Sequence, residues 1–254
     1  MRYRMKYKEA EEKSRSRSCN GFPTLETVES KYQDLTFDRL FTYFAGREIT
    51  LRNETFKHDF GFLTKDGKYN MLAQLLSDDC HIPINIYIFL GKTKAAPLYS
   101  VKEFGNTCIL LALERIIDYG DALNIIQADE TNRKVERKDV PFFNYDAFCE
   151  ATINAFVHNN WIEGNAPMIT VYSDRIEILS RGSLAPEETL EGFFLGESVP
   201  ANQKLSDLIL QLHISERSGK GIPTITKVYG KDAFDFRQDS IVVTIPFTIL
   251  KTTT

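Results

Sequence analysis

The clearest pattern in the sequence is a helical one between Tyr145 and Trp161. Apolar and small residues recur there at intervals of three and four, which places them on one face of a helix. They are Phe148, Ala151, Thr152, Ala155 and Phe156. Beside this stripe, Glu150, Asn154 and His158 follow one another at intervals of four and predict a polar column along the same helix.

Further elements follow this helix in the sequence. Two runs rich in alternating and β-branched residues, MITVYS and DRIEILS, predict a pair of antiparallel strands directly after it. A loop, a helix with flanking turns, another helix and a last strand, IVVTIPF, complete the pattern. Together with a strand before Tyr145, these elements predict an α/β sandwich in which helices cover one face of a mixed sheet.

The segment before residue 128 predicts an α+β scaffold that lacks a catalytic constellation. Its helical stretches are LETVESKYQDL, FDRLFTYFA, NMLAQLLSD and residues 106–122. We expect Thr36 or an earlier threonine to cap the first two of these helices, and the third to be amphipathic. The runs INIYIFLG and PLYSVKEFG are rich in β-type residues and predict a hairpin.

Charge along the chain indicates where the domains divide. Residues 128–140 are highly charged, with a candidate edge strand around Val135, and such a connection favours a boundary. We therefore predict a two-domain α+β protein, with a middle domain at 23–128 and the sandwich domain at 129–254. Residues 1–22 precede both.

Composition narrows the class of protein. With 254 residues, 43% hydrophobic and 26% charged, the chain has the profile of a soluble globular protein. It contains no apolar run long enough for a membrane span and begins without an apolar signal segment, so we expect a cytoplasmic protein without a membrane partner. The four cysteines are scattered, which favours reduced thiols over a metal finger or disulfides.

The N-terminal residues carry a local positive charge. Residues 1–20 contain seven Lys and Arg against three Glu, a net +4, although the whole chain has a net charge of −4. One interpretation is an arm that binds nucleic acid. The other is a solvated tail, or the remnant of an upstream DNA-binding domain.

The polar column has a chemical interpretation of its own. The amide oxygen of Asn154 can ligate a hard divalent cation, and the carboxylate of Glu150, one turn earlier, can orient or deprotonate a water molecule. The alternative is a solvated helix face with three unrelated polar residues, because the pattern E-x-x-x-N arises often by accident.

A series of motifs in one order carries a family resemblance. The series is EATINAFVHNNW, ITVYSDRIEILSRGSLAPEETL, SVPANQKLSDLILQL and ISERSGKGIPTITKVYG. It resembles the C-terminal GHKL-type (Bergerat-fold) ATPase-like domain of bacterial and archaeal transcriptional regulators that are often labelled RecG-like ATP-dependent helicases. These regulators usually have a Schlafen/AlbA-like DNA-binding domain at the N-terminus. The resemblance implies ATP and Mg²⁺ as ligands, DNA as a partner and a homodimer as a further assembly.

The resemblance also implies roles for residues near the key helix. Glu150 matches the acidic residue that activates water, and Asn154 matches the asparagine that holds magnesium against the phosphates. The turn of the following hairpin, at Ser180 and Gly182, matches the edge of the adenine pocket. In active GHKL ATPases this turn begins with an aspartate, whereas Ser180 brings a hydroxyl without charge.

A second glycine-containing turn matches the family's E-x-G-x-G-I motif. Glycines let backbone amides approach a phosphate closely, and nearby cations add charge. The candidate phosphate-facing residues are Arg217, Gly219, Lys220 and Gly221. The alternative is a turn between two helices that needs glycine for its backbone angles, and the spacing of a Walker A loop is absent.

Two charged residues of the family pattern are missing from this chain. Asn202 matches the asparagine of an Arg-Asn pair, but Ala201 replaces the arginine. His158 is followed by two asparagines where the family tends to have His-Arg-Asp. Two hypotheses follow: an ATP-binding regulator with weak or no hydrolysis, or a dimerisation and partner-binding module with a degenerate nucleotide site.

Overall fold

The structure is a computed structural model. It describes residues 23–129, 138–184, 188–197, 200–214 and 220–250. Within these ranges, no helix combines the length and the apolar character that a membrane crossing requires. The basic segment 1–20 and the candidate edge strand around Val135 lie outside the described residues.

Helices and strands follow one another in small groups along the described chain. The helices are α1 (Asp38–Ala45), α2 (Phe56–Asp59), α3 (Met71–Leu76), α4 (Ile109–Leu123), α5 (Tyr145–His158), α6 (Leu190–Leu195), α7 (Gln203–Gln211) and α8 (Gly221–Tyr229). The strands are β1 (Asn85–Phe89), β2 (Leu98–Glu103), β3 (Ile126–Asp129), β4 (Lys138–Pro141), β5 (Met168–Val171), β6 (Arg175–Arg181), β7 (Phe234–Phe236) and β8 (Ser240–Pro246).

Six of these strands form one mixed sheet in the order β2-β1-β5-β6-β8-β7. β1 pairs with β5 in parallel, with Ile86 opposite Ile169, and the other neighbours are antiparallel. β3 and β4 form a separate two-stranded sheet. The predicted hairpins β1–β2 and β5–β6 are confirmed, and so is the mixed α/β architecture.

The helices cover the apolar face of the sheet. Ile176 and Ile178 on β6 alternate with charged residues, are at most 1% exposed and lie under α5. On the opposite face of the same strand, Arg175 pairs with Glu177 at 2.8 Å between Nη2 and Oε1. Burial of one face thus holds α5, with its polar column, against the middle of the sheet.

The predicted domain boundary is crossed by the sheet. β1 and β2 precede residue 128, and both belong to the same sheet as β5 to β8. The hydrophobic core is also continuous, with members from Leu25 to Ile245. The division into two domains stays a prediction, and its two segments share one sheet and one core.

The prediction of a helix at residues 25–35 is wrong. This segment has a turn at 25–27 followed by irregular structure, and its backbone pairs with the chain around Asn70. The amide of Ser30 donates to the carbonyl of Tyr69 at 2.8 Å, and the amide of Met71 donates to the carbonyl of Val28 at 2.9 Å. Tertiary hydrogen bonds here override the local helical pattern.

Two smaller expectations about the N-terminal helices also need correction. Thr36 does not cap α1. The carboxylate of Asp78 instead accepts hydrogen bonds from the amides of Asp38 and Arg39, at 3.0 and 2.7 Å. Helix α3 is not amphipathic, because all six of its residues are buried.

Candidate functional site

Helix α5 forms as the sequence predicts. Asn144 caps its N-terminus by accepting a hydrogen bond from the amide of Ala147 at 2.8 Å, and Asp146 places a negative charge in the first turn. The predicted apolar stripe is buried throughout. The members of the polar column are only partly buried, so the column lies along the margin of the packed face.

The N-terminus of α8 lies against the first part of this column. A Cβ built on Gly221 would lie 2.6 Å from Oε2 of Glu150 and 3.0 Å from Nδ2 of Asn154. Only a glycine lets the backbone of α8 approach these two side chains so closely. Gly221 therefore meets Glu150 and Asn154 at one point of the structure, although both precede it by more than sixty positions in the sequence.

Asn154 has a polar atom without a protein partner at this point. Its Nδ2 is buried and has no hydrogen-bond partner among the described residues. A buried donor without a partner raises the free energy of the folded state, because it has lost its hydrogen bonds to water and gained none within the protein. A phosphate oxygen would satisfy it, and the amide oxygen of the same side chain is of the type that Mg²⁺ prefers.

Of the three other candidate residues in the glycine turn, the structure describes one. Lys220 is exposed directly before the first residue of α8. Arg217 and Gly219 lie outside the described residues, so their predicted roles stay predictions.

The other end of the column meets the end of β6. The amide of Asn160 donates to the carbonyl of Arg181 at 2.9 Å. Gly182 has a φ of +111°, which favours glycine, and a Cβ there would lie 3.7 Å from the carbonyl oxygen of His158. Gly182 thus lies near His158, whereas Gly221 lies near Glu150.

The two ends of the column are separated along the axis of α5. His158 follows Glu150 by eight steps along the α-helix, a rise of roughly 12 Å. Ser180 lies on the same face of β6 as the buried Ile178, by alternation along the strand. Its hydroxyl is 3.5 Å from the carbonyl oxygen of Ile241, a long contact that leaves it able to bond elsewhere.

The side chain of Asn202 supports the C-terminal end of α5. Its Nδ2 donates to the carbonyls of Val157 and Asn159, both at 2.8 Å. These carbonyls belong to the C-terminal end of α5, where main-chain acceptors lack helical partners. Asn202 therefore caps α5 from a distance, and its predicted contact with a cofactor stays a prediction.

Asn159 is a residue that sequence reasoning missed. It is fully buried, its Nδ2 donates to the carbonyl of Asn165 at 2.7 Å, and its Oδ1 accepts from the amide of Arg181 at 2.9 Å. It thereby ties the end of α5 to the end of β6. The only signal in the sequence was an asparagine directly after a helix, a residue type that pairs well with free backbone groups.

The cysteine beside the column is not an activated nucleophile. Burial raises the pKa of Cys149 to about 11, so the thiol stays protonated at neutral pH. The described residues contain no group of three His, Cys, Asp or Glu side chains that could hold a metal ion. A cation at Asn154 would therefore need phosphate oxygens and water as most of its ligands, which suits Mg²⁺.

We expect His158 to lower stability in acid. Burial lowers its pKa from 6.5 to about 4. Between these two values the unfolded chain binds a proton that the folded protein does not, so the free energy of unfolding falls as the pH drops from about 6.5 to about 4. The loss amounts to at most about 3 kcal/mol, and this group has no effect above that window.

Urea unfolding at pH 5 and pH 7.5 measures this effect. His158→Gln should flatten the dependence on pH, whereas His58→Gln should not, because the side chain of His58 is 96% exposed. An identical pH dependence in His158→Gln and the wild type would show that another group is responsible.

Comparisons with known proteins add the family context. Residues 164–245 match the family described as "Putative ATP-dependent DNA helicase recG C-terminal". This part of the chain is similar to an ATPase-like domain of the RecG type. The match covers less than half of the chain and begins after α5, so it includes Ser180 and Gly221 but neither Glu150 nor Asn154.

A solved structure shares the fold. The DIP2311 protein from Corynebacterium diphtheriae is similar over 94% of this chain, with a TM-score of 0.65 and 17% sequence identity. The chain spans 50% of the length of that protein. No curated protein matches the chain.

Proposed function

We propose that the ATPase-like domain binds ATP with Mg²⁺ in a DNA-binding transcriptional regulator, and that it hydrolyses ATP weakly or not at all. One observation carries this proposal: Gly221 lies against Glu150 and Asn154, whose Nδ2 is buried without a partner. We call Glu150, Asn154 and Gly221 the phosphate cradle. A site that is closed by a glycine and contains a buried donor without a partner is suited to a phosphate group.

Each residue of the cradle has a separate task in the proposal. Nδ2 of Asn154 donates to a phosphate oxygen, and its Oδ1 is the protein ligand of Mg²⁺. Mg²⁺ held there would neutralise phosphate charge. The carboxylate of Glu150 orients a water molecule or accepts its proton. Lys220 adds positive charge beside the phosphates.

The residues at the His158 end of the column explain why we expect the adenine base to bind weakly. His158 and Gly182 lie there, with Ser180 two positions before Gly182, and they supply no carboxylate for the adenine amino group among them. A hydroxyl forms a weaker hydrogen bond than a carboxylate does. We therefore expect affinity for ATP in the micromolar range or weaker, and slow turnover.

DNA is the proposed partner of the regulator. The basic residues 1–20, or a DNA-binding domain of the kind that precedes this domain in the resembling family, would make the contact. Binding by phosphate contacts of this kind weakens steeply with salt. The location proposed for such a regulator is the cytoplasm.

Two substitutions distinguish the tasks of the cradle residues. We expect Asn154→Ala to abolish the dependence of ATP affinity on Mg²⁺, because it removes the protein ligand of the cation. We expect Glu150→Ala to retain affinity and to lose any turnover, because the carboxylate acts on water. Equilibrium binding of ATP and release of phosphate measure the two effects. Equal ATP affinity in the wild type and Asn154→Ala would rule out the metal position.

A second candidate function is a dimerisation or partner-binding module with a degenerate nucleotide site. It is favoured by Asn202, whose Nδ2 donates to two carbonyls at the end of α5. It is favoured too by the serine at position 180 in place of a carboxylate. A failure of millimolar ATP to bind or to stabilise the protein would support this function over the first.

A further inference from the structure

A cleft of about 600 Å³ lies between the N-terminal helices and α7. Its volume is within the range of about 300–1,000 Å³ that is usual for small-molecule sites. Helix α7 contributes Lys204, Asp207 and Leu208, which recur at helical spacing and share one face.

The floor of the cleft is apolar and aromatic. Phe44, Phe56 and Leu72 line it and are at most 4% exposed, so they form a rigid base. Phe60 lies beside Phe44 with an edge-to-face contact of 5.5 Å between ring centroids. A surface of this kind binds the aromatic or aliphatic part of a ligand.

The rim of the cleft carries charges of both signs, but they are not equally available. Asp59 accepts a hydrogen bond from the hydroxyl of Thr55 at 2.8 Å, and Asp207 accepts one from Nε2 of Gln203 at 2.9 Å. Within the described part of the chain, the side chains of Arg52 and Lys204 have neither an ion pair nor a hydrogen bond.

Arg52 and Lys204 therefore keep all of their N–H donors for a ligand, while Asp59 and Asp207 retain their negative charge. Lys204 extends along the chain at Gly61, with its Cε 4.0 Å from the position of a Cβ there. A guanidinium and an ammonium at the edge of an apolar floor favour a carboxylate or a similar anion.

We propose that this cleft binds a small organic anion with an aromatic or aliphatic body. The body lies on Phe44, Phe56 and Phe60, and the anionic group lies at the rim between Arg52 and Lys204. The site is separate from the polar column of α5 and does not depend on nucleotide binding there.

Fluorescence titration with 8-anilinonaphthalene-1-sulfonate tests the proposal, because this probe combines an aromatic body with one anionic group. We expect saturable binding to the wild type. The double variant Arg52→Gln and Lys204→Gln should weaken it about tenfold. Lys65→Gln is the matched control, since Lys65 is an exposed cation in the turn at Asp66 and Gly67, outside the cleft.

Competition between ligands distinguishes a site that requires an anionic group from an apolar surface that does not. We expect 3-phenylpropionate to displace the probe from the wild type, and the neutral 3-phenylpropanol to displace it far less well. Thermal unfolding of each variant checks that it is folded. Equal affinity of the double variant and the wild type for the probe would overturn the proposal, and so would equal displacement by the acid and the alcohol.

Discussion

Replacing Gly221 with alanine is expected to weaken binding of ATP with Mg²⁺ at least about tenfold while the protein stays folded. The new Cβ would lie 2.6 Å from Oε2 of Glu150 and 3.0 Å from Nδ2 of Asn154, distances that force a movement. Both atoms are at the ends of side chains, so the fold can adjust by moving them. The phosphate cradle cannot adjust in this way, because the two displaced groups are part of it. A loss of about 1.4 kcal/mol in binding free energy corresponds to a tenfold loss of affinity.

The matched control for this substitution is Gly46→Ala. A Cβ at Gly46 would meet its nearest atom, the carbonyl oxygen of Thr42, at an ordinary 3.5 Å. Calorimetric titration of ATP should show unchanged affinity in this control. Unchanged affinity in Gly221→Ala as well would mean that the cradle does not contact the nucleotide.

A second substitution is expected to lower stability strongly. Gly120 lies inside α4, where an alanine normally stabilises a helix by roughly 0.5–1 kcal/mol. Here a Cβ would lie 2.0 Å from Cε1 of Phe148, whose ring is 1% exposed in the contact between α4 and α5. The ring has no free space to move into, so we expect Gly120→Ala to lower the free energy of unfolding by about 3 kcal/mol.

Urea unfolding measures this change, and a double variant identifies its cause. Phe148→Leu removes the part of the ring that meets the new methyl group. The penalty for Gly120→Ala should therefore be much smaller in the Phe148→Leu background than in the wild type. An equal penalty in both backgrounds would assign the loss to another contact, and a gain in stability would contradict the predicted collision.

Elements defined by local periodicity could be predicted from the sequence. Helix α5 and the strands β5 and β6 have strong patterns of their own, and burial of Phe148 and Ile178 follows from those patterns. The segment 25–35 has a helical pattern too, but Asn70 and its neighbours pair with its backbone. Such pairing over long sequence distances is not encoded in local spacing.

Other features depend on partners far away in the sequence. The parallel pairing of β1 with β5 joins Ile86 to Ile169 and crosses the predicted domain boundary, although the charge of the connecting segment favoured a division there. For the same reason the capping of α5 by Asn202 was not foreseen, since residues 43 positions apart make that bond.

The candidate site was only partly predictable. The spacing of Glu150 and Asn154 placed both on one helix, and the family resemblance suggested a glycine turn beside them. Their approach to Gly221 became visible only in the folded structure, because it depends on the packing of α8 against α5. The buried link through Asn159 had no clear signal in the sequence.

The most direct test of the proposed function is calorimetric titration of ATP into the wild-type protein, with and without Mg²⁺. The proposed cradle predicts saturable binding that depends on Mg²⁺ and has a dissociation constant in the micromolar range. An absence of heat, together with no thermal stabilisation at millimolar ATP, would contradict nucleotide binding and favour the partner-binding module.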